Sequence, residues 1–306
     1  MLEVYDDSRL GDAGPDDLSD ALERGAIVFF PRSPVPLPSD DDLSFCRQQL
    51  PRLLKLKNIS YHPETGRVHG LETDDQAVAQ RVHVILVTMN NDIADFLSRT
   101  APSLTKDSVV GTCSFRPMQE KGRKLKPHAS NELVHIDAGA YGATNGGRIL
   151  RFFINVNSNE DRVWATKGTF PELFGRYGAA AKIRPAHVTE NYLRKRPWDH
   201  LRTGLVNGLA SVGLPMAKVL DSSPYDRVMR QFHNFMKDTP SFQEESVGHE
   251  ELRFPPYSAW MVFTDMVSHA VVSGQFCFVQ TSIVQLSNCQ MPELAPYNIL
   301  RESATL

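Results

Sequence analysis

Leu133-Val-His135-Ile-Asp137 is the most informative string in this 306-residue chain. On a β-strand, residues two apart point to the same side. Read as a strand, the string projects His135 and Asp137 together and turns Ile136 the other way. A histidine and a carboxylate on one face offer two ligands to a divalent metal; a half-buried surface pair is the plain alternative. A third ligand has to come from elsewhere. His269, entering a strand in Trp260-Met-Val-Phe-Thr264-Asp-Met-Val-Ser-His269-Ala, is the candidate.

Two histidines and one carboxylate make the facial triad of non-haem Fe(II) oxygenases, with open positions on the metal. A 2-oxoacid can chelate through two of these, and O₂ can take the last. Downstream, Asn145-Gly146-Gly147 reads as a turn and Arg148–Asn157 as a strand. Arg151, Phe153, Asn155 and Asn157 share one face of it, while Leu150, Phe152, Ile154 and Val156 share an apolar one. Arg151 therefore points into a polar cavity, and Arg148 points to its rim from the strand end. An arginine fork binds a carboxylate through two hydrogen bonds, as a 2-oxoacid's far carboxylate requires.

Outside this region the patterning is mixed. Residues 16–24 read as a short helix and Ala26–Phe30 as a buried strand. Ser39 and three aspartates open a helix that runs to about Leu50. Thr73 or Asp74 caps the longest helix, in which Val78, Val82, Ile85, Met89, Ile93 and Phe96 form one apolar stripe. Ser108–Met118, Arg162–Ala165, Ser258–Thr264, His269–Val272 and Gln275–Leu286 read as further strands. Within a helical insert at about 170–250, Glu190–Leu201 and Pro224–Lys237 read as helices. Many short strands around one helical insert predict a mainly β core with helices outside, an α+β chain.

Composition narrows the class. With 33 Lys and Arg against 36 Asp and Glu, the net charge of −3 makes a general nucleic-acid binder a poor expectation. Cys46, Cys113, Cys277 and Cys289 form no CxxC pair and read as reduced core thiols. The acidic start has no apolar core of the kind a secretory signal carries, and no run approaches the ~20 apolar residues of a membrane helix. A cytoplasmic location is the expectation.

The pattern His135-x-Asp137…His269 resembles the Fe(II)/2-oxoglutarate-dependent dioxygenases. A closer likeness is to the Kdo (3-deoxy-D-manno-oct-2-ulosonic acid) 3-hydroxylase family. It is carried by Phe115-Arg-Pro117, Val134-His-Ile-Asp-Ala138, Thr144-Asn-Gly-Gly-Arg-Ile-Leu-Arg151, Ile154-Asn-Val-Asn157 and Arg162-Val-Trp164. It continues in Met229-Arg-Gln-Phe-His-Asn-Phe-Met-Lys237, Phe254-Pro-Pro256, Trp260–Ala270, Ser273-Gly-Gln275 and Gln280-Thr281. The likeness covers about 108–290.

The resemblance implies a double-stranded β-helix (jelly-roll or cupin-like) core at 106–290 within a single domain, residues 1–306. Residues 1–105 would form a helix-and-strand flank and 291–306 a tail. It implies hydroxylation at C3 of Kdo on lipid A, with Fe(II), 2-oxoglutarate and O₂, ascorbate serving as reductant in vitro. His135, Asp137 and His269 would hold the metal. The wider superfamily places a cofactor arginine ten or eleven residues after the last histidine, where this chain has Val279 and Gln280. The 2-oxoglutarate residues are therefore expected to be Arg151 and Arg148, then Arg116, with Asn155 and Gln280 contributing.

An anionic sugar on an anionic lipid asks for local cations. Lys121-Gly-Arg-Lys-Leu-Lys126 supplies four, and Arg116, Arg123, Lys124, Lys126 and Asn145 are the expected substrate contacts. Arg194-Lys-Arg196 with His200 and Arg202, and Arg52 with Lys55 and Lys57, are further clusters. Each cation near an anionic bilayer contributes ~1 kcal/mol, so the expectation is a peripheral enzyme at the inner face of the cytoplasmic membrane, with Trp198 as a docking side chain. The alternatives are a hydroxylase of another small acid, sugar or peptide, a metal-dependent lyase or isomerase, and a non-catalytic anionic-sugar-binding barrel.

Overall fold

A computed structural model describes residues 1–123, 125–139, 143–183 and 223–303. Its strands are β1 (Leu2–Val4), β2 (Ile27–Phe30), β3 (Ile59–His62), β4 (Arg67–His69), β5 (Val109–Arg116), β6 (Arg148–Asn155), β7 (Arg162–Thr166), β8 (Glu250–Phe254), β9 (Ala259–Phe263), β10 (Ala270–Ser273) and β11 (Cys277–Val284). Eight form one sheet in the order β1-β2-β9-β6-β11-β5-β3-β4, and β10-β7-β8 form a second. The expectation of a mainly β core with flanking helices holds. Strands β1, β3, β4 and β8 did not stand out in the sequence, because three to five residues at a sheet margin carry too little alternation.

The two sheets meet through aromatic rings. Trp164 of β7 and Phe254 of β8 pack against Phe153 of β6 and Trp260 of β9, with the Phe254 and Trp260 centroids 3.9 Å apart. The other face of the large sheet is covered by α4 (Gln76–Thr100), after α1 (Asp7–Asp12), α2 (Asp17–Glu23) and α3 (Asp40–Gln48). The expected stripe of α4 is buried from Val82 to Phe96, and Phe96 meets Phe152 edge to face at 5.7 Å. Its cap is Asp75, one residue past the predicted pair, whose side chain accepts from the amides of Ala77 and Val78. Ser39 caps α3 as read, accepting from the amide of Asp42.

A short helix, α5 (Pro102–Thr105), leads into β5, and α6 (Phe170–Tyr177), α7 (Pro224–Asp238) and α8 (Pro240–Glu244) lie in the insert. The expected helix at 190–201, the cluster Arg194-Lys-Arg196 with His200 and Arg202, and Trp198 fall outside the described residues. The chain closes with α9 (Pro296–Ser303). All four cysteines are free and buried.

One expected strand is not one. Leu133–Asp137 is extended but joins neither sheet among the described residues. Its backbone meets His269 through a single bridge, with His135 N–H donating to His269 O at 3.1 Å and His269 N–H to His135 O at 2.8 Å. Asp137 N–H then donates to Thr264 O at 2.8 Å.

Candidate active site

The bridge sets both histidines side by side, and the period of two brings Asp137 onto their face. His135 Nε2 lies 3.6 Å from Asp137 Oδ1, and His269 Nε2 lies 3.9 Å from Asp137 Oδ2. Among the described residues these three form a group whose ligand atoms all lie within 4.8 Å of one another. Each imidazole donates its Nδ1–H to a backbone carbonyl two residues back, His135 to Leu133 at 2.7 Å and His269 to Val267 at 3.0 Å. That fixes the tautomer and aims both Nε2 lone pairs inward. Trp164 stacks on His269 with centroids 5.2 Å apart, which holds the ring plane.

The electrostatics suit a cation. Burial lowers the proton affinity of both His135 and His269, so both rings are neutral ligands at ordinary pH. Burial works against ionisation of Asp137, but Arg151 and the two histidines outweigh it and hold the carboxyl well below its usual range. Asp137 Oδ2 is buried without a hydrogen-bond partner, although Arg151 Nη2 stands 2.8 Å away. Two neutral imidazoles, one carboxylate and an unsatisfied buried oxygen fit a divalent metal.

The triad opens into a cavity of about 340 Å³, within the ~300–1,000 Å³ usual for small-molecule sites. Its floor is the large sheet. Thr112, Ser114 and Arg116 project from β5, Arg151 and Phe153 from β6 and Thr281 from β11. The pairing registers Thr112–Thr281–Arg151 and Ser60–Ser114 explain why these alternate residues share a face. Trp164 and Val271 of the small sheet close one wall; Lys57, Asn58, Ser60, His62 and Asn131 line another.

Among the described residues, Lys57, Arg116 and Arg151 bring cationic groups to this space. Arg151 sits beside Asp137. Arg116 is buried, its Nε has no hydrogen-bond partner, and burial with the nearby charges of Arg151 and Arg162 pushes its pKa down to about 10. Lys57 is half-buried and donates to Ala129 O at 3.0 Å and Asn131 Oδ1 at 2.9 Å. Burial and the charge of Arg116 push its pKa down to about 8.

Several expected contacts lie elsewhere. Arg148 is fully buried and its Nε donates to Asp265 Oδ2 at 2.6 Å, so it is not at the cavity rim. It falls on the opposite face from Arg151, as the odd spacing requires. Asn155 keeps the face of Arg151 but is too far along β6, and its amide donates to Phe254 O and Glu160 O. Gln280 projects to the outer face, where its amide donates to Asn90 O at 2.8 Å on α4. Among the expected substrate contacts, Arg116 alone lines the cavity. Arg123 pairs with Glu120 at 3.6 Å, Lys126 is exposed, and Lys124 lies outside the described residues. Asn145 has its side chain exposed and its amide held by Asp226.

Sequence reasoning passed over Ser60, His62, Thr112, Ser114, Asn131 and Thr281. Alternation along β5, with polar Thr112, Ser114 and Arg116 against buried Cys113 and Phe115, was the available signal. Lys57 was visible only as part of a surface-like cluster.

A family description of 3-deoxy-D-manno-oct-2-ulosonic acid (Kdo) hydroxylase matches residues 8–305. The chain belongs to the Kdo hydroxylase family. An apo structure of the Kdo hydroxylase KdoO, a non-heme Fe(II) α-ketoglutarate-dependent dioxygenase, is 25% identical and superposes with a TM-score of 0.80, covering 100% of this chain and 96% of that one. KdoO in complex with α-ketoglutarate and Fe(III) is likewise 25% identical, with a TM-score of 0.78 over 99% of this chain and 96% of that one. A cobalt(II) complex of KdoO gives 25% identity and a TM-score of 0.79 over 99% and 96%. No curated protein matches the chain.

Proposed function

We propose that this chain is an Fe(II)/2-oxoglutarate-dependent dioxygenase that hydroxylates Kdo at C3, giving Ko, on Kdo-bearing lipid A. The observation that carries this reading is the convergence of His135, Asp137 and His269 on a cavity lined by Arg116, Arg151 and Lys57. Family membership points to the same sugar acid. The two facing sheets, with the triad between them, are read as a double-stranded β-helix.

His135, Asp137 and His269 would hold the iron. With 2-oxoglutarate and O₂, the bound metal supplies a two-electron oxidation of a C–H bond, the 2-oxoacid leaving as succinate and CO₂. The protein's part is binding and exclusion of water. Arg151 and Arg116 meet the far carboxylate of 2-oxoglutarate through charge-assisted bonds. Lys57, nearer to solvent, receives the carboxylate of the sugar. Trp164 and Phe153 wall the cavity and keep the reacting centre dry. No side chain has to act as a strong base.

A lipid-linked substrate places the enzyme at the inner face of the cytoplasmic membrane as a peripheral protein. The exposed basic stretch around Lys121 and Lys126 supports that placement, and no helix among the described residues is long and apolar enough to cross a membrane.

The test is mass spectrometry of Kdo₂–lipid A incubated with purified protein, Fe(II), ascorbate and 2-oxoglutarate in air, beside His135→Ala. The expected result is one added oxygen on the sugar, absent in the variant. Succinate formed in a His135-dependent way, with the sugar unchanged, would keep the oxygenase and overturn this substrate.

A further inference from the structure

The ligand-bearing stretch Val134–Asp137 has two backbone edges, and only one faces another strand. His135 and Asp137 use the inner edge, toward His269 and Thr264. Along extended chain, successive residues turn their N–H and C=O groups to opposite edges, so Val134 and Ile136 face outward, where an ordinary sheet would carry another strand. Here side chains occupy that place. Gln243 of α8 pairs with Val134 on both groups: Val134 N–H donates to Gln243 Oε1 at 2.9 Å, and Gln243 Nε2 donates to Val134 O at 2.9 Å. His233 of α7 donates its Nδ1–H to Ile136 O at 2.8 Å, between the two ligands.

We propose that Gln243 and His233 are positioning residues, replacing a neighbouring strand and setting the spacing of His135 and Asp137 in the metal site. The clasp is itself anchored. Gln243 Nε2 also donates to Met236 O at 2.8 Å, tying α8 to α7. Lys167 Nζ donates to Gln243 O at 2.8 Å and to the carbonyls of Phe242 and Glu245. The amide of Lys167 in turn donates to Ser268 Oγ at 2.9 Å, beside His269. Both histidine ligands are therefore tied to one hydrogen-bonded frame, His135 through Gln243 and His269 through Ser268 and Lys167. Neither Gln243 nor His233 lines the cavity.

The inference rests on the triad as the metal site, so the experiment separates the two. Co(II) titration of the full chain, followed by its visible absorption bands, is run beside melting of the metal-free protein. The variants are Gln243→Leu, His233→Leu, His233→Asn, His135→Ala and Gln231→Leu. Gln231 lies on α7 too, and its amide donates to Ala181 O at 2.8 Å, away from the ligand stretch. Supporting groups around metal ligands typically matter by ~10–100-fold in affinity. Gln243→Leu and His233→Leu are expected to weaken Co(II) binding by roughly tenfold or more and to shift the bands. His233→Asn, which keeps an N–H donor near the Nδ1 position, should recover most of both, and Gln231→Leu should change neither. Wild-type affinity and bands in both leucine variants, with binding lost in His135→Ala, would overturn the clasp alone. A loss that merely follows a lower melting temperature, and is matched by Gln231→Leu, would overturn it too. Wild-type binding in His135→Ala would remove the triad reading and the clasp with it.

Discussion

Arg151 Nη2 stands 2.8 Å from Asp137 Oδ2, so the carboxylate of the proposed metal triad and a cavity-lining arginine are one ion pair. Both side chains are largely buried, which strengthens their coupling beyond that of a surface pair. Arg151 thus has two duties: it keeps Asp137 ionised and presents positive charge to the cavity. Arg116 has no hydrogen-bond partner at its Nε and lines the cavity without such a direct ion pair to the triad.

This division predicts separate kinetic signatures. Arg116→Met should raise KM for 2-oxoglutarate by roughly 10–100-fold, the loss of a charge-assisted pair, with metal affinity little changed. Arg151→Met should raise that KM and also weaken Fe(II) binding. Gln280→Leu should leave both constants alone, because its amide is spent on Asn90. Steady-state kinetics with metal titration checks all three.

Lys57 predicts a pH limb. Its pKa is pushed down to about 8, so above that pH the cavity loses a positive charge. KM for the anionic sugar should rise as pH increases through about 8. Lys57→Arg should move the limb beyond pH ~10, since a guanidinium stays protonated there. For stability, the lowered value means that the folded chain binds fewer protons than the unfolded chain between about 8 and the usual lysine value of 10.5. This group's contribution therefore improves as pH rises through that window. A profile unchanged in Lys57→Arg would remove Lys57 from the sugar site.

Arg148 and Asp265 predict a stability effect without a cofactor effect. Both are nearly inaccessible, and the pair is closed by a 2.6 Å bond. Arg148→Met strands a buried carboxylate and should cost about 3–5 kcal/mol in denaturant unfolding. Arg148→Met with Asp265→Leu should recover much of the loss, while KM for 2-oxoglutarate stays as in the wild type. A selective rise in that KM would return Arg148 to the cofactor site.

Asn145 adopts φ of 54°, in the left-handed region ahead of Gly146. Asn145→Ala should cost about 1–2 kcal/mol and Asn145→Gly much less. Neither should alter KM for the sugar, because Asn145 is exposed and does not line the cavity. Thermal unfolding and kinetics together decide between this turn role and a substrate contact.

The site was legible in the sequence where one local rule sufficed. His135 and Asp137 share a face because extended chain alternates, and Arg151 differs from Arg148 for the same reason. Asn155 obeyed the alternation and still missed the cavity, because a face extends beyond the site cut into it. Gln280 was placed by analogy with a superfamily position, whereas the register of β11 turns it toward α4. The stretch Leu133–Asp137 looked like a sheet strand, but its outer partners are side chains a hundred residues downstream, which no periodicity encodes. Lys57 and the short strand β3 carried no pattern that set them apart from surface.

Ser60 and His62 reach the cavity from β3, which has only the short β4 outside it, while Arg151 lies three strands further in on β6. Exchanging that outer hairpin disturbs few ladder bonds and none of those that carry the triad. This wall of the cavity can therefore drift over evolutionary time, or be grafted in the laboratory, while the triad is inherited intact. Swapping residues 57–69 between homologues tests whether this wall sets the proposed sugar-acid specificity.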